Sequence, residues 1–231
     1  RIEPTRPGNA QPRHPHVPVL GIGGSEVHRT TRTSCETVCS PHHESETANL
    51  MSVRIACERL GHNPVLSRDP AVIAAASHVL LPGVGHARSG MRALGHLEAC
   101  LKALQRPLLG ICLGMQLLYE GSEEGDVKGF GILPGTVKAM QSTAGISLPH
   151  MGWNPLLWEK SHPLLEGLPE KSSMYFVHSY QAPMDATVLA HVEHGYPIPA
   201  VVGRGVHLGV QFHPEKSGAA GQRLLRNFFA L

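Results

Sequence analysis

A chain can pass from an extended strand into a helix within two residues only if its backbone closes tightly on itself. The stretch Pro107-Leu-Leu-Gly110-Ile-Cys112-Leu-Gly114-Met-Gln116-Leu-Leu demands such a turn. An apolar strand runs into Gly110-Ile111-Cys112-Leu113-Gly114, and helical spacing begins at once. This is the strand–turn–helix arrangement of a nucleophile elbow, with Cys in place of Ser. Glycines two residues to either side of Cys112 answer the crowding, since so sharp a turn leaves no space for Cβ atoms there. The helix N-terminus behind Cys112 favours the thiolate, and the Leu113 amide is placed where an oxyanion would form. Gln116 lies four residues on, shares the helix face of Cys112 and can hydrogen-bond a substrate. A buried Cys among packing glycines is the alternative, and the flanking strand and helix argue against it.

Apolar spacing places the other elements around this turn. Residues 48–60 follow helical spacing up to Gly61, and residues 71–76 and 88–104 read as further helices, the last of these as one long helix. Strands are expected at 65–66, 78–81 and 107–111, with a helix at 113–120. Beyond Gly129 the strands shorten, at 132–133, 136–140, 175–180, 188–192, 199–202 and 208–212, before a closing helix at 221–229. Alternating strands and helices followed by strand-rich sequence imply a three-layer α/β domain with an antiparallel extension.

A thiolate nucleophile needs a base and a group to orient that base. Near the C-terminus, Leu208-Gly-Val-Gln-Phe-His213-Pro-Glu215-Lys216-Ser217 delivers a histidine at the end of an apolar strand. Pro214 stiffens the link, and Glu215 is close enough to accept from the imidazole and fix its tautomer. The candidate catalytic set is therefore Cys112, His213 and Glu215.

Composition removes several other classes. Among 231 residues, 20 Lys plus Arg face 18 Asp plus Glu, which disfavours a dedicated polyanion binder. Aromatics are 5% of the chain, so base-stacking platforms are few. No apolar run approaches the roughly 20 residues that span a bilayer, and the Pro- and Arg-rich start lacks the core of a signal peptide. Five cysteines do not suggest a secreted disulfide framework. A cytoplasmic protein is expected, with Cys57 and Cys100 as packing residues.

Gly-Ile-Cys112-Leu-Gly with a distal His213-Pro-Glu215 resembles the class I triad glutamine amidotransferases. Pro149-His-Met151-Gly-Trp153-Asn and Tyr175-Phe-Val-His178-Ser-Tyr180 narrow the resemblance to the glutaminase subunits of imidazole glycerol phosphate synthases, as do Leu81-Pro-Gly83-Val84-Gly85 and Ala48-Asn49-Leu-Met. It covers residues 47–231 and implies a mostly parallel central sheet. It also implies that Cys112 attacks the glutamine side-chain amide to give a thioester and ammonia, with His213 shuttling protons and Glu215 holding it. By the same resemblance Gly83, Val84, Gly85 and Leu113 line the oxyanion and substrate site, while Gln116, Tyr175 and His178 help hold glutamine. Asn49, Met151, Trp153 and Lys216 would face a (β/α)8 cyclase subunit in a heterodimer that makes imidazole glycerol phosphate in histidine biosynthesis. No cofactor, metal, nucleic acid or membrane is implied.

Residues 1–46 depart from that pattern. They hold six Pro, five His and five Arg and no Lys, and are expected to lack stable packing. The family's first buried strand should precede the Ala-Asn-Leu helix, yet residues 39–47 show no β propensity. Val17 to Ile22 could substitute but lies more than 20 residues too early. Without a first core strand, one alternative is a catalytically silent interaction subunit. Others are another class I amidotransferase (an anthranilate or guanylate type) or a thiol peptidase on a related fold. Cys35-x3-Cys39-x2-His42-His43 has ligand-type spacing without a second pair, so no metal site is expected.

Overall fold

Residues 79–81 and 108–111 are buried without interruption, which marks strands covered on both faces. They lie at the centre of a computed structural model that describes residues 49–142 and 146–231 in full, and residues 35–38 and 44–48 by backbone alone. The described residues all fall within one compact unit, Arg32–Leu231.

The chain begins with β1 (Cys35–Val38), α1 (Glu44–Arg59), β2 (Val65–Ser67), α2 (Pro70–Ala75) and β3 (His78–Gly83). Next come α3 (Ala87–Leu94), α4 (Glu98–Ala103), β4 (Leu108–Cys112) and α5 (Leu113–Leu117). Short strands follow: β5 (Tyr119–Ser122), β6 (Val127–Lys128), β7 (Leu133–Ala139), β8 (His150–Pro155), β9 (Leu157–Trp158), β10 (Ser173–His178) and β11 (Tyr180–Gln181). The last elements are β12 (Val188–Glu193), β13 (Pro197–Arg204), β14 (His207–Val210) and α6 (Gly218–Phe228).

Eight strands form the main sheet in the order β2-β1-β3-β4-β14-β13-β12-β9. The first five are mutually parallel and the last three are antiparallel to their neighbours. β8 and β10 pair as an antiparallel ribbon, and β11-β7-β5-β6 makes a third sheet. Side-chain alternation along β3 and β4 divides the interior. Leu80, Leu109 and Ile111 pack with Val53 and Cys57 of α1 and Leu224, Leu225 and Phe228 of α6. Val79, Leu81 and Leu108 pack with Ile73 of α2, Leu94 of α3, Leu101 of α4 and Met115 of α5. The result is the three-layer α/β arrangement with an antiparallel extension.

Three sequence expectations are corrected. The first core strand is present: β1, four residues reading Cys-Glu-Thr-Val, lies parallel between β2 and β3. Its brevity and its place among polar residues hide it from any apolar-run criterion. Residues 17–22 and the candidate ligands Cys39, His42 and His43 lie outside the described residues, as does the Cys35 side chain. The long helix at 88–104 is two helices joined by a 3-10 turn at Gly95–Leu97, where glycine, a poor helix former, lets the winding tighten. The helix at 113–120 stops at Leu117 because a returning loop takes up its backbone: Phe130 N–H donates to the Leu117 carbonyl, and Ile132 and Leu133 donate to that of Leu118.

α6 lies against the turn Pro214–Lys216 that follows β14. A Cβ at Gly221 would stand 2.0 Å from the Pro214 carbonyl oxygen, so the helix and the turn must part to admit one. Gly221→Ala is therefore expected to lower stability by about 2–3 kcal/mol, as overpacking against backbone does. A fall in the urea midpoint checks this, and an unchanged midpoint would show that the contact is slack.

Candidate active site

β4 and α5 meet at Cys112, whose φ of 54° and ψ of −113° belong to no regular structure. For a residue with a side chain such backbone costs about 1–3 kcal/mol and persists only where the surroundings enforce it. Those surroundings are backbone. A Cβ at Gly114 would lie 1.7 Å from the Leu81 carbonyl oxygen, and one at Gly110 would lie 2.7 Å from both the nitrogen and Cα of Met115. The two glycines singled out by sequence are thus obligatory, whereas a Cβ at Gly83, paired in register with Cys112, would stand 3.0 Å from the Gly114 nitrogen, tight but without outright overlap.

The parallel neighbour β14 ends beside this turn and hands the chain to His213, which is 1% exposed. His213 Nδ1 and Glu215 Oε1 are 2.7 Å apart, with neither side chain reaching solvent appreciably. The His213 amide donates to the Tyr175 carbonyl at 2.9 Å, and the buried Ser217 hydroxyl donates to the His213 carbonyl at 2.7 Å. Nε2, buried and without a hydrogen-bond partner among the described residues, is the ring nitrogen left for Cys112. Burial opposes a charge on the imidazole, but Cys112 and Glu215 together outweigh it and push His213 up to about 10. A buried imidazole so placed can take a proton from sulfur at Nε2 and, as the imidazolium held by the carboxylate, give it back.

A cavity of about 310 Å³ opens onto Cys112 and His213, a small volume among ligand clefts. Of the residues that sequence suggested for this site Val84, Gly85, Leu113, Gln116 and His178 line it and Gly83 does not; Glu124, Val177, Ser179 and Tyr180 complete the lining. Gln116 spends both amide hydrogens inside the protein, on the Tyr180 carbonyl at 3.1 Å and on Gln211 Oε1 at 3.0 Å. Its own oxygen is the group left for a ligand. Gln211, wholly buried, places Nε2 3.9 Å from the Cys112 sulfur. Glu124 accepts from the Ala87 amide at 2.7 Å and supplies the cavity's carboxylate. Sequence reasoning passed over both. Gln211 was legible as a polar residue set in the apolar run that leads to His213; Glu124, in the loop between β5 and β6, gave no signal.

The structure separates the two residues of β10 that sequence suggested for the cavity. Tyr175 and His178 differ by an odd number of strand positions, so their side chains leave β10 on opposite faces. Tyr175 packs edge-on to Trp153 at 6.0 Å and does not line the cavity. His178 does line it but has both ring nitrogens engaged within the protein, Nδ1 with the Tyr180 carbonyl at 2.8 Å and Nε2 with His150 Nδ1 at 2.9 Å. Of the residues suggested for a partner surface, Met151 and Trp153 are 62% and 58% exposed on β8, and Lys216 is exposed after Glu215. Asn49 is buried instead, so it presents no open face, and its Oδ1 lacks a hydrogen-bond partner among the described residues. Cys57 is buried core, while Cys100 donates its thiol to the Pro70 carbonyl. No group of three or more metal-ligating side chains occurs among the described residues.

The family model described as glutamine amidotransferase class-I matches residues 44–231. A protein of Xanthomonas axonopodis pv. citri named imidazole glycerol phosphate synthase subunit HisH is 53% identical over 187 residues, 80% of this chain and 93% of that one. The protein of the same name from Xylella fastidiosa strain Temecula1 is 49% identical over the same shares of the two chains. Among solved structures, a glutamine amidotransferase from Thermotoga maritima superposes with a TM-score of 0.54 at 18% identity. The match covers 87% of this chain and 82% of that one, a likeness of fold.

The buried histidines titrate in opposite senses. Burial first, then nearby imidazoles, hold His150 down to about 4 and His178 to about 3. The unfolded chain therefore takes up protons below the ordinary value of 6.5 while the folded one does not, and stability is lost as pH falls from 6.5 toward 4. His213, raised, contributes stability below 6.5 that is lost as pH climbs toward 10. Thermal unfolding from pH 7 to 4.5 is expected to show a shallower acid loss in His150→Asn than in the wild type. Equal slopes would mean that His150 titrates normally.

Proposed function

The chain belongs to the class I glutamine amidotransferase family, and on that premise we propose how its residues divide the work. It is the glutamine amidotransferase subunit of imidazole glycerol phosphate synthase and serves histidine biosynthesis. Cys112 attacks the side-chain amide carbon of glutamine, His213 takes the thiol proton and returns it to the departing ammonia, and Glu215 fixes the imidazole through Nδ1. Water then hydrolyses the thioester by the reverse proton path. The observation that carries these roles is the buried His213–Glu215 pair, 2.7 Å apart, with Nε2 unclaimed beside the strained Cys112 turn.

The cavity suits glutamine's other end. The Gln116 oxygen and the Glu124 carboxylate both accept hydrogen bonds, and an α-ammonium group offers donors to both. The Leu113 amide, first in α5, has no partner within its own helix and would meet the oxyanion together with the loop around Gly83, Val84 and Gly85. Ammonia that escapes into neutral water becomes ammonium, which is no nucleophile. The product must therefore reach its acceptor through protein, and the partner we propose is a (β/α)8 cyclase subunit seated on Met151, Trp153 and Lys216. A first core strand in place removes the ground for catalytic silence. A cytoplasmic setting accompanies the biosynthetic role; among the described residues no helix is long and apolar enough to cross a membrane.

Cys112→Ala is expected to cut glutamine hydrolysis by about a thousandfold or more, the scale on which a nucleophile acts, with cyclase association unchanged. Glutamate release would be followed by a coupled assay and association by calorimetry. Hydrolysis persisting in the variant would assign the nucleophile elsewhere.

A further inference from the structure

Behind the cavity wall runs a chain of side-chain hydrogen bonds whose direction is fixed from both ends. At one end Asn154 Nδ2 donates to the Glu193 carbonyl at 3.0 Å, which sets the orientation of that amide. The same nitrogen is 3.2 Å from His150 Nε2, which must therefore accept and carry no proton. Neutral His150 then bears its proton on Nδ1 and donates to His178 Nε2 at 2.9 Å. His178 in turn bears its proton on Nδ1 and donates to the Tyr180 carbonyl at 2.8 Å. A carbonyl only accepts, so neither tautomer can be exchanged without leaving a donor facing a donor. His150 and His178 are 3% and 6% exposed, and Phe176 and His194 stack on His150 at 4.7 and 4.2 Å. No slack remains for rotation.

The Tyr180 carbonyl on which this chain ends is also the acceptor that orients Gln116. We propose that His178, held by His150 and Asn154, is a positioning residue that fixes the Tyr180 carbonyl, and through it the amide orientation of Gln116, so setting glutamine affinity indirectly. This rests on Gln116 meeting glutamine through its side-chain oxygen. Without the His178 proton the Tyr180 carbonyl keeps only the Gln116 donor, and of the two acceptors that hold the Gln116 amide, Gln211 Oε1 alone stays fixed. The reacting atoms at Cys112 and His213 are untouched, so the effect falls on binding rather than on the chemical step.

The test compares His178→Phe, His178→Asn and Gln116→Ala in the full chain assembled with its cyclase partner, with KM for glutamine and kcat measured separately. His178→Phe fills the site without a donor and is expected to raise KM about tenfold, the worth of one such hydrogen bond, with kcat within about threefold. His178→Asn keeps a donor near the Nδ1 position and is expected to recover most of that loss. A raised KM in Gln116→Ala with an unaltered KM in His178→Phe would overturn the positioning role alone. An unaltered KM in Gln116→Ala would overturn the reading of the glutamine site beneath it. Should His178→Phe fail to fold, imidazole 15N spectra of the wild type decide: protons on Nδ1 of both His150 and His178 support the chain, and a proton on His178 Nε2 overturns it.

Discussion

Backbone presses on backbone where the turn after β4 passes the end of β3. Only a residue without Cβ brings position 114 so near the Leu81 carbonyl, and that approach drives Cys112 into its strained conformation. The consequences spread outward. α5 starts at once, so Gln116 lies one turn from the sulfur; β14 pairs on the other side of β4, so His213 arrives at the same sheet edge. Strain at one residue is thus maintained by packing that buries both faces of the sheet, and dispersed over two apolar cores.

Electrostatics then separates histidines that composition cannot tell apart. His213 is buried beside Glu215 and Cys112, where partners of suitable charge overcome desolvation and favour the imidazolium. His178 and His150 are buried against each other, with the Tyr180 carbonyl at the far end of the pair, so desolvation prevails and both stay neutral. One residue type is thereby held charged at one wall of the cavity and neutral at another. The two states require opposite surroundings, and the fold supplies them in separate places, after β14 of the main sheet and within the β8–β10 ribbon.

The β8–β10 ribbon relates the cavity to the outer surface. Period-two alternation sends His150 and Asn154 inward, while Met151 and Trp153 stand exposed on the same strand. A partner that covers the outer face would rest on the strand whose inner face carries the fixed hydrogen bonds. Ser217 and the Tyr175 backbone tie β10 to the His213 turn as well, so the ribbon supports both walls of the cavity.

Local covalent geometry made part of this legible from residues alone. Gly110, Cys112 and Gly114 announce their turn because glycine spacing is a direct record of backbone crowding, and His213-Pro-Glu215 announces its pair because two residues suffice to bring the groups together. The alternation of strands and helices likewise gave the layered α/β class. What needed the tertiary structure depends on contacts distant along the chain. β1 is a strand because β2 and β3 flank it, not because Cys-Glu-Thr-Val prefers extension. α5 ends where it does because residues 130–133 return to claim its carbonyls. Tyr175 and His178, expected together at the cavity, part company because strand parity is visible in sequence only once the register is known. Glu124 reaches the cavity from a loop with no pattern of its own, placed there by its bond to the Ala87 amide.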